Sequence, residues 1–165
     1  MSNNALLWQI RAFVYNHFAD TIRPPSVEEA AQHLNIEIEL AGTLYKELHN
    51  RHALFLEPET LNIRMANPFS GIPTDFKVHA DGKSYYANCA WDMLGIPVAL
   101  ALRNDAVIEA ICTESDDRVQ LAVRDGQIQA QAAVPGGDIK SILTSDLKIH
   151  FPLPFARWYD DLLFT

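Results

Sequence analysis

Cysteine is scarce in this chain: only Cys89 and Cys112 occur among 165 residues. Two thiols without export signals do not make a disulfide framework, so both are expected to be reduced and chemically available. No apolar run approaches the roughly 20 residues that a membrane-spanning helix needs. The start, Met1-Ser2-Asn3-Asn4, lacks the basic region and apolar stretch of a secretory leader. A cytoplasmic protein with no membrane partner is the expectation. Positive charge is also short. With 13 basic against 21 acidic residues the net charge is −8, and no Lys/Arg-rich tract interrupts it. Such a surface repels phosphate backbones, which argues against nucleic acid as a partner. Repeats and low-complexity segments are missing. Pro135-Gly136-Gly137 lacks the Lys-Ser/Thr of a phosphate loop and reads as a connection. His49 and His52 stand i, i+3, but no further His or Cys nearby completes a zinc-like set. His17, His33, His79 and His150 are scattered, and the adjacent pairs Asp116-Asp117 and Asp160-Asp161 read as solvated faces.

What the chain does have is apolar residues, 48% of the total, enough for a sizeable core. Leu6, Leu7, Ile10, Phe13, Val14 and Phe18 recur at helical spacing over residues 5 to 19, with Trp8 and Tyr15 widening the apolar face. Pro24-Pro25 ends that helix, and Ser26-Val27-Glu28-Glu29 has the form of a capping box that opens a second helix through Leu34. Leu40, Leu44 and Leu48 mark a third. Ala53 to Leu56 and Leu61 to Met65 read as two short strands around Glu57-Pro58-Glu59. Three helices and a hairpin predict a winged-helix-like unit over 1–66. The third helix is poor in cations, with Lys46 against three glutamates from Glu37 to Asn50, so a packing or dimerisation role is expected over DNA binding.

Residues 67–165 read as a second, α+β domain. Asp75 to His79 and Lys83 to Tyr86 flank an Asp81-Gly82 turn, a strong hairpin signal. A helix carrying Cys89 follows, bending near Gly95-Ile96-Pro97 and running on to Leu102. Ala106 to Cys112 is strand-like, with Cys112 at its end, where burial is the plain reading. Val119 to Val123 and Gln127 to Ala130 alternate around Asp125-Gly126, and Leu147 to Phe151 supplies a last strand. The sheet is predicted to be mostly antiparallel, with a central helix.

Chemistry concentrates in Tyr85-Tyr86-Ala87-Asn88-Cys89-Ala90-Trp91-Asp92. Asn88 is a good N-cap residue for a helix starting at Cys89, which places the thiol in the first turn. There the helix dipole and unpaired N–H groups favour a thiolate and lower its pKa. Asp92, three residues on, shares that helical face, and a carboxyl beside a thiol suits the sharing of one proton. A plainer reading makes Cys89 a small buried hydrophobe and Asp92 a first-turn acid.

The run Asn67-Pro68-Phe69-Ser70-Gly71-Ile72-Pro73-Thr74, a strand pair, and then Tyr86-Ala87-Asn88-Cys89-Ala90-Trp91-Asp92-Met93-Leu94-Gly95-Ile96-Pro97 resembles the alkylmercury (organomercurial) lyase family. The Asn-Cys-Ala-Trp-Asp segment is its signature. The resemblance implies that Cys89 and Asp92 are catalytic: Cys89 captures mercury as a thiolate and Asp92 protonates the carbon bonded to it. Soft mercury prefers sulfur to water, carboxylate or imidazole. Products are a hydrocarbon and a protein-bound mercuric ion, removed by low-molecular-weight thiols as co-reactants, with no organic cofactor. Trp91, Phe69 and Tyr86 are expected to line a water-poor pocket for the organic group.

The family's second catalytic cysteine follows a segment that Trp158-Tyr159-Asp160-Asp161-Leu162-Leu163-Phe164-Thr165 resembles, yet these residues hold no such thiol. Use of Cys112, use of an external thiol, binding without cleavage, and a shortened piece of a longer protein all fit that departure. The alternative function is a non-catalytic thiol-based metal-binding or sensing protein, including a winged-helix regulator.

Overall fold

The computed structural model describes residues 3–100, 105–112, 117–124, 127–133, 139–142 and 148–149. Helix α1 (Asn3–Thr21) is followed by α2 (Val27–Leu34) and α3 (Ile38–Asn50). Three short strands come next, β1 (Phe55–Leu56), β2 (Ile63–Ala66) and β3 (Phe69–Ser70), then the hairpin β4 (Lys77–Ala80) and β5 (Lys83–Tyr86). Helix α4 (Ala90–Ala99) leads to β6 (Ala106–Ile111), β7 (Arg118–Arg124), β8 (Gln127–Ala133) and β9 (Ile139–Ile142). The strands form two antiparallel sheets, β1-β2-β3 and β5-β4-β6-β7-β8-β9. This is the α+β architecture expected from the sequence.

The helical unit closes as its spacing predicts. Leu7, Ile10, Val14 and Phe18 of α1 are buried against Leu44, Tyr45 and Leu48 of α3. Trp8 departs from the expectation of a wider buried face: it is 49% exposed, beside the Arg11 guanidinium. Ser26 caps α2 with the full reciprocal box, its hydroxyl accepting from the Glu29 N–H while the Glu29 carboxylate accepts from the Ser26 N–H. These bonds satisfy two donors that a helix start otherwise leaves orphaned.

The two halves of the chain share one core. Phe69 in β3 stacks on Phe18 of α1 with centroids 5.3 Å apart, tilts against Tyr85 at 5.7 Å and meets Tyr15 edge-on at 6.3 Å. Strand β3 was not foreseen, because two residues carry no readable alternation. It pairs with β2, and a further bridge joins Phe69 to Ala87. The last turn of α1 lacks a basic residue of its own. Its Ala19 carbonyl instead accepts from Lys83 Nζ at 2.9 Å and from the Tyr85 hydroxyl at 2.7 Å. Carbonyls left over at a helix C-terminus are thereby paired by the hairpin, which fixes β5 against α1.

The Asp81-Gly82 turn is as predicted, with positive φ at both residues (49° and 75°), matching a two-residue hairpin. Strand β9 was missed. Of the predicted strand Leu147–Phe151, Lys148 and Ile149 are described and neither lies in a strand. The other residues of that strand lie outside the described residues, as do Ala101, Leu102, the Asp125-Gly126 and Pro135-Gly136-Gly137 turns, Asp116 and 150–165. Among the described residues no helix is long and apolar enough to cross a membrane.

Candidate active site at the start of helix α4

The chain leaves β5 under tight control. The Ala87 N–H donates to the Phe76 carbonyl at 2.9 Å, and the Ala87 carbonyl accepts from Thr74 Oγ1 at 2.6 Å. Three residues later α4 begins, and its cap corrects the sequence reading. Cys89, not Asn88, is the N-cap: its backbone is extended (φ −156°, ψ 174°) and its Sγ accepts from the Asp92 N–H at 3.4 Å. A sulfur therefore takes the place usually filled by a Ser or Asp oxygen. This frees Asn88 for another task. Its Nδ2 donates to Asp92 Oδ2 at 3.0 Å and to the Pro68 and Phe69 carbonyls, both at 3.2 Å.

Cys89 and Asp92 thus meet on one turn, as their spacing predicted, and both are buried, with 2% and 7% of their surface exposed. Burial also overturns the expected thiolate. Desolvation is the largest influence on Cys89, the negative charge of Asp92 is the next, and together they push the thiol up to about 11 despite the backbone N–H groups that favour the anion. Desolvation likewise raises Asp92, opposed by the hydrogen bonds from Asn88 and Cys89. At neutral pH the sulfur carries its proton.

An open, largely apolar groove of about 590 Å³ runs beside α4, walled by Tyr15, Pro68, Trp91, Leu94, Gly95 and Val98. Gly95 permits the close approach of this wall, since a Cβ there would come within 3.2 Å of Pro68 Cβ. Trp91 is 55% exposed along it. The expected pocket of Trp91, Phe69 and Tyr86 is not assembled: Phe69 is buried in the core, and Tyr86 lies under the Lys77 ammonium. Tyr15 was not foreseen as a site residue, because its role depends on a partner 52 residues away, the Asn67 carbonyl, to which its hydroxyl donates at 2.8 Å.

Cys112 is half-buried just past β6. Lys77 of β4 pairs with both Tyr86 and Glu109. Cys89 and Cys112, each three residues beyond that row, therefore reach the same end of the sheet on opposite flanks of β4. His49 Nδ1 accepts from the Leu56 N–H at 3.3 Å and its ring meets Phe55 edge-on, which gives it a packing role. Among the described residues no group of three or more His, Cys, Asp and Glu side chains is placed to hold a metal ion.

A buried thiol and a buried carboxyl at one helix start, beside an apolar groove, define a thiol–acid site on an α+β scaffold. Residues 69–138, which contain this site, match the family model described as MerB, alkylmercury lyase. The family that the signature segment resembles is thus the one whose model this stretch of the chain matches. A solved structure, the mercury-bound form of MerB2, superposes with a TM-score of 0.59 at 20% sequence identity, covering 76% of this chain. The match spans 63% of that chain's length, and at this identity the likeness is one of fold. No curated protein matches the chain.

Proposed function

We propose that this protein cleaves carbon–mercury bonds by protonolysis, with Cys89 as the mercury-binding sulfur and Asp92 as the group that carries the proton. The observation that supports this reading is the contact of two buried, mutually perturbed groups, Cys89 and Asp92, on one helical turn. With the proton on sulfur at rest, Asp92 first accepts it while the sulfur bonds to mercury and a ligand of the incoming organomercurial leaves as a thiolate. Asp92 then returns that proton to the carbon. The electron pair of the breaking carbon–mercury bond becomes the new C–H bond, and the departing thiolate binds the mercuric ion on Cys89. A second molecule of external thiol displaces Cys89, restoring its proton and releasing mercury as a bis-thiolate. The groove beside Trp91 takes the organic group, and no organic cofactor enters.

The test is hydrocarbon release from an aryl- or alkylmercurial in excess low-molecular-weight thiol. Wild-type protein releases hydrocarbon, Cys89→Ser loses release by about a thousandfold or more, as expected when a nucleophile is removed, and Asp92→Asn binds mercury without releasing hydrocarbon. Release unchanged in Cys89→Ser refutes the reading. Stoichiometric mercury uptake with no release in the wild type supports the second reading, a non-catalytic thiol-based metal-binding or sensing protein. That reading is favoured by the raised Cys89 thiol, which is a weak nucleophile at rest. A gel shift with and without mercuric ion then examines its winged-helix regulator form.

A further inference from the structure

Asn88 is tied on two sides through its amide nitrogen. Its Nδ2 carries two hydrogens, one directed at Asp92 Oδ2 and the other shared between the Pro68 and Phe69 carbonyls. The Asn67–Phe69 backbone is itself held from α1, by a residue 52 positions earlier in the chain but adjacent in space. The Tyr15 hydroxyl donates to the Asn67 carbonyl at 2.8 Å and accepts from Arg11 Nη2 at 3.1 Å, and the guanidinium lies over the Tyr15 ring, 4.5 Å from its centroid. A continuous polar path therefore joins the first helix to the buried acid.

We propose that Asn88 is a positioning residue that holds the Asp92 carboxyl for proton transfer, and that Tyr15 sets Asn88 from the N-terminal helix through the Asn67–Phe69 backbone. The inference rests on the reading of Asp92 as the proton carrier. A carboxyl that must take a proton from sulfur and hand it to carbon needs one oxygen fixed and the other available. The Asn88 amide fixes Oδ2 without competing for the proton, because an amide N–H does not titrate. It also stabilises the carboxylate form, which must exist before sulfur can give up its proton. The three-helix unit then serves the site directly: it supplies the brace that orients the acid.

The other groups around Asp92 do not supply this restraint. Cys89 is the proton's exchange partner, and the Tyr15 hydroxyl, which the charge of Asp92 reaches, is committed to the Asn67 carbonyl and Arg11. Helix α4 also packs on β4 and β6. There Lys77, His79 and Glu109 alternate with buried Val78, Ala80 and Ile108 and so face away from the helix. Cys112 follows β6, across β4 from Cys89.

The experiment follows the Asp92 carboxyl carbon by NMR through a pH titration of the full chain, the signal being assigned by its loss in Asp92→Asn. Asn88→Ala raises the midpoint by about one pH unit, the size of one lost charge-assisted hydrogen bond. Tyr15→Phe keeps the ring and raises the midpoint by a smaller amount, about a third of a unit on the same scale. In the Asn88→Ala background Tyr15→Phe adds nothing, because its effect passes through Asn88. Midpoints unchanged in both single variants, even with lowered melting temperatures, overturn the proposal. An additive double variant overturns the route through Asn88. Should Asn88→Ala fail to fold, Asn88→Ser is read in the same way. Hydrocarbon release is measured alongside. Shifted midpoints in a protein that never releases hydrocarbon defeat the lyase reading and keep the tether, whereas release with unshifted midpoints defeats the positioning role alone.

Discussion

Replacing Asp92 by Asn removes a charge and keeps the shape, which makes Cys89 report on its neighbour. The two side chains lie on one turn, the Asp92 N–H is 3.4 Å from Sγ, and both residues are nearly sealed from solvent. A unit charge about 4 Å from a developing thiolate, at an effective dielectric near 20, opposes it by about 4 kcal/mol, a ceiling of about three pH units. Burial is the larger cause of the raised thiol and survives the substitution, and Asn88 already draws part of the carboxylate's charge. The expected fall from about 11 is therefore about one to two pH units, leaving the thiol at or slightly above its ordinary value. Thiolate ultraviolet absorbance against pH measures this without requiring a reagent to reach the sulfur. The titration is run in a Cys112→Ala background so that a single thiol contributes. A midpoint that does not move denies that the two groups share a proton. A midpoint far below the ordinary thiol value denies that desolvation dominates, and the weak-nucleophile argument goes with it.

Two further outcomes follow from the packing. Gly71 donates its N–H to the Arg64 carbonyl at 2.9 Å, and a Cβ on it would collide with the Ile63 carbonyl oxygen. Gly71→Ala is expected to cost about 2–4 kcal/mol, because backbone rather than a yielding side chain blocks the methyl group; a chemical-denaturation midpoint equal to wild type refutes this. Stability should also decline in alkali. Cys89 is raised from 9.0 to about 11, and Tyr15, Tyr45 and Tyr85 are raised by burial. The folded protein keeps these protons where the unfolded chain has lost them. Their contribution is therefore whole below the unfolded values and is lost as pH rises toward the folded ones. For Cys89 that loss is about 2–3 kcal/mol between pH 9 and 11. Denaturant unfolding across this range, compared with Cys89→Ser, should show a shallower decline in the variant, and identical slopes count against it.

Much of this was legible in the chain itself. The first helix, the Ser26 capping box and the Asp81-Gly82 turn each depend on neighbours within a few residues, and local spacing fixes them. The same holds for the meeting of Cys89 with Asp92, since three residues on a helix is a geometric statement. Strand β3 escaped because two residues carry no period, and Trp8 was misplaced because periodicity marks a face and does not say how far the partner helices cover it. Residue preference points to Asn88 as the cap, but tertiary acceptors at Pro68 and Phe69, together with the nearby Asp92 carboxylate, claim its amide, and the sulfur caps instead.

Sequence by itself determined which atoms are chemically soft or acidic and that they share a helical turn, because both follow from residue identity and a repeat of 3.6 residues. The protonation state of the thiol was decided only by the tertiary structure. The helix dipole is local and argued for an anion, but desolvation depends on what the rest of the chain packs around the sulfur, and here it is the larger effect. The brace from Arg11 and Tyr15 to Asn88 likewise exists only once α1 lies against the Asn67–Phe69 stretch, since hydrogen bonds between residues so far apart in sequence leave no mark on local spacing.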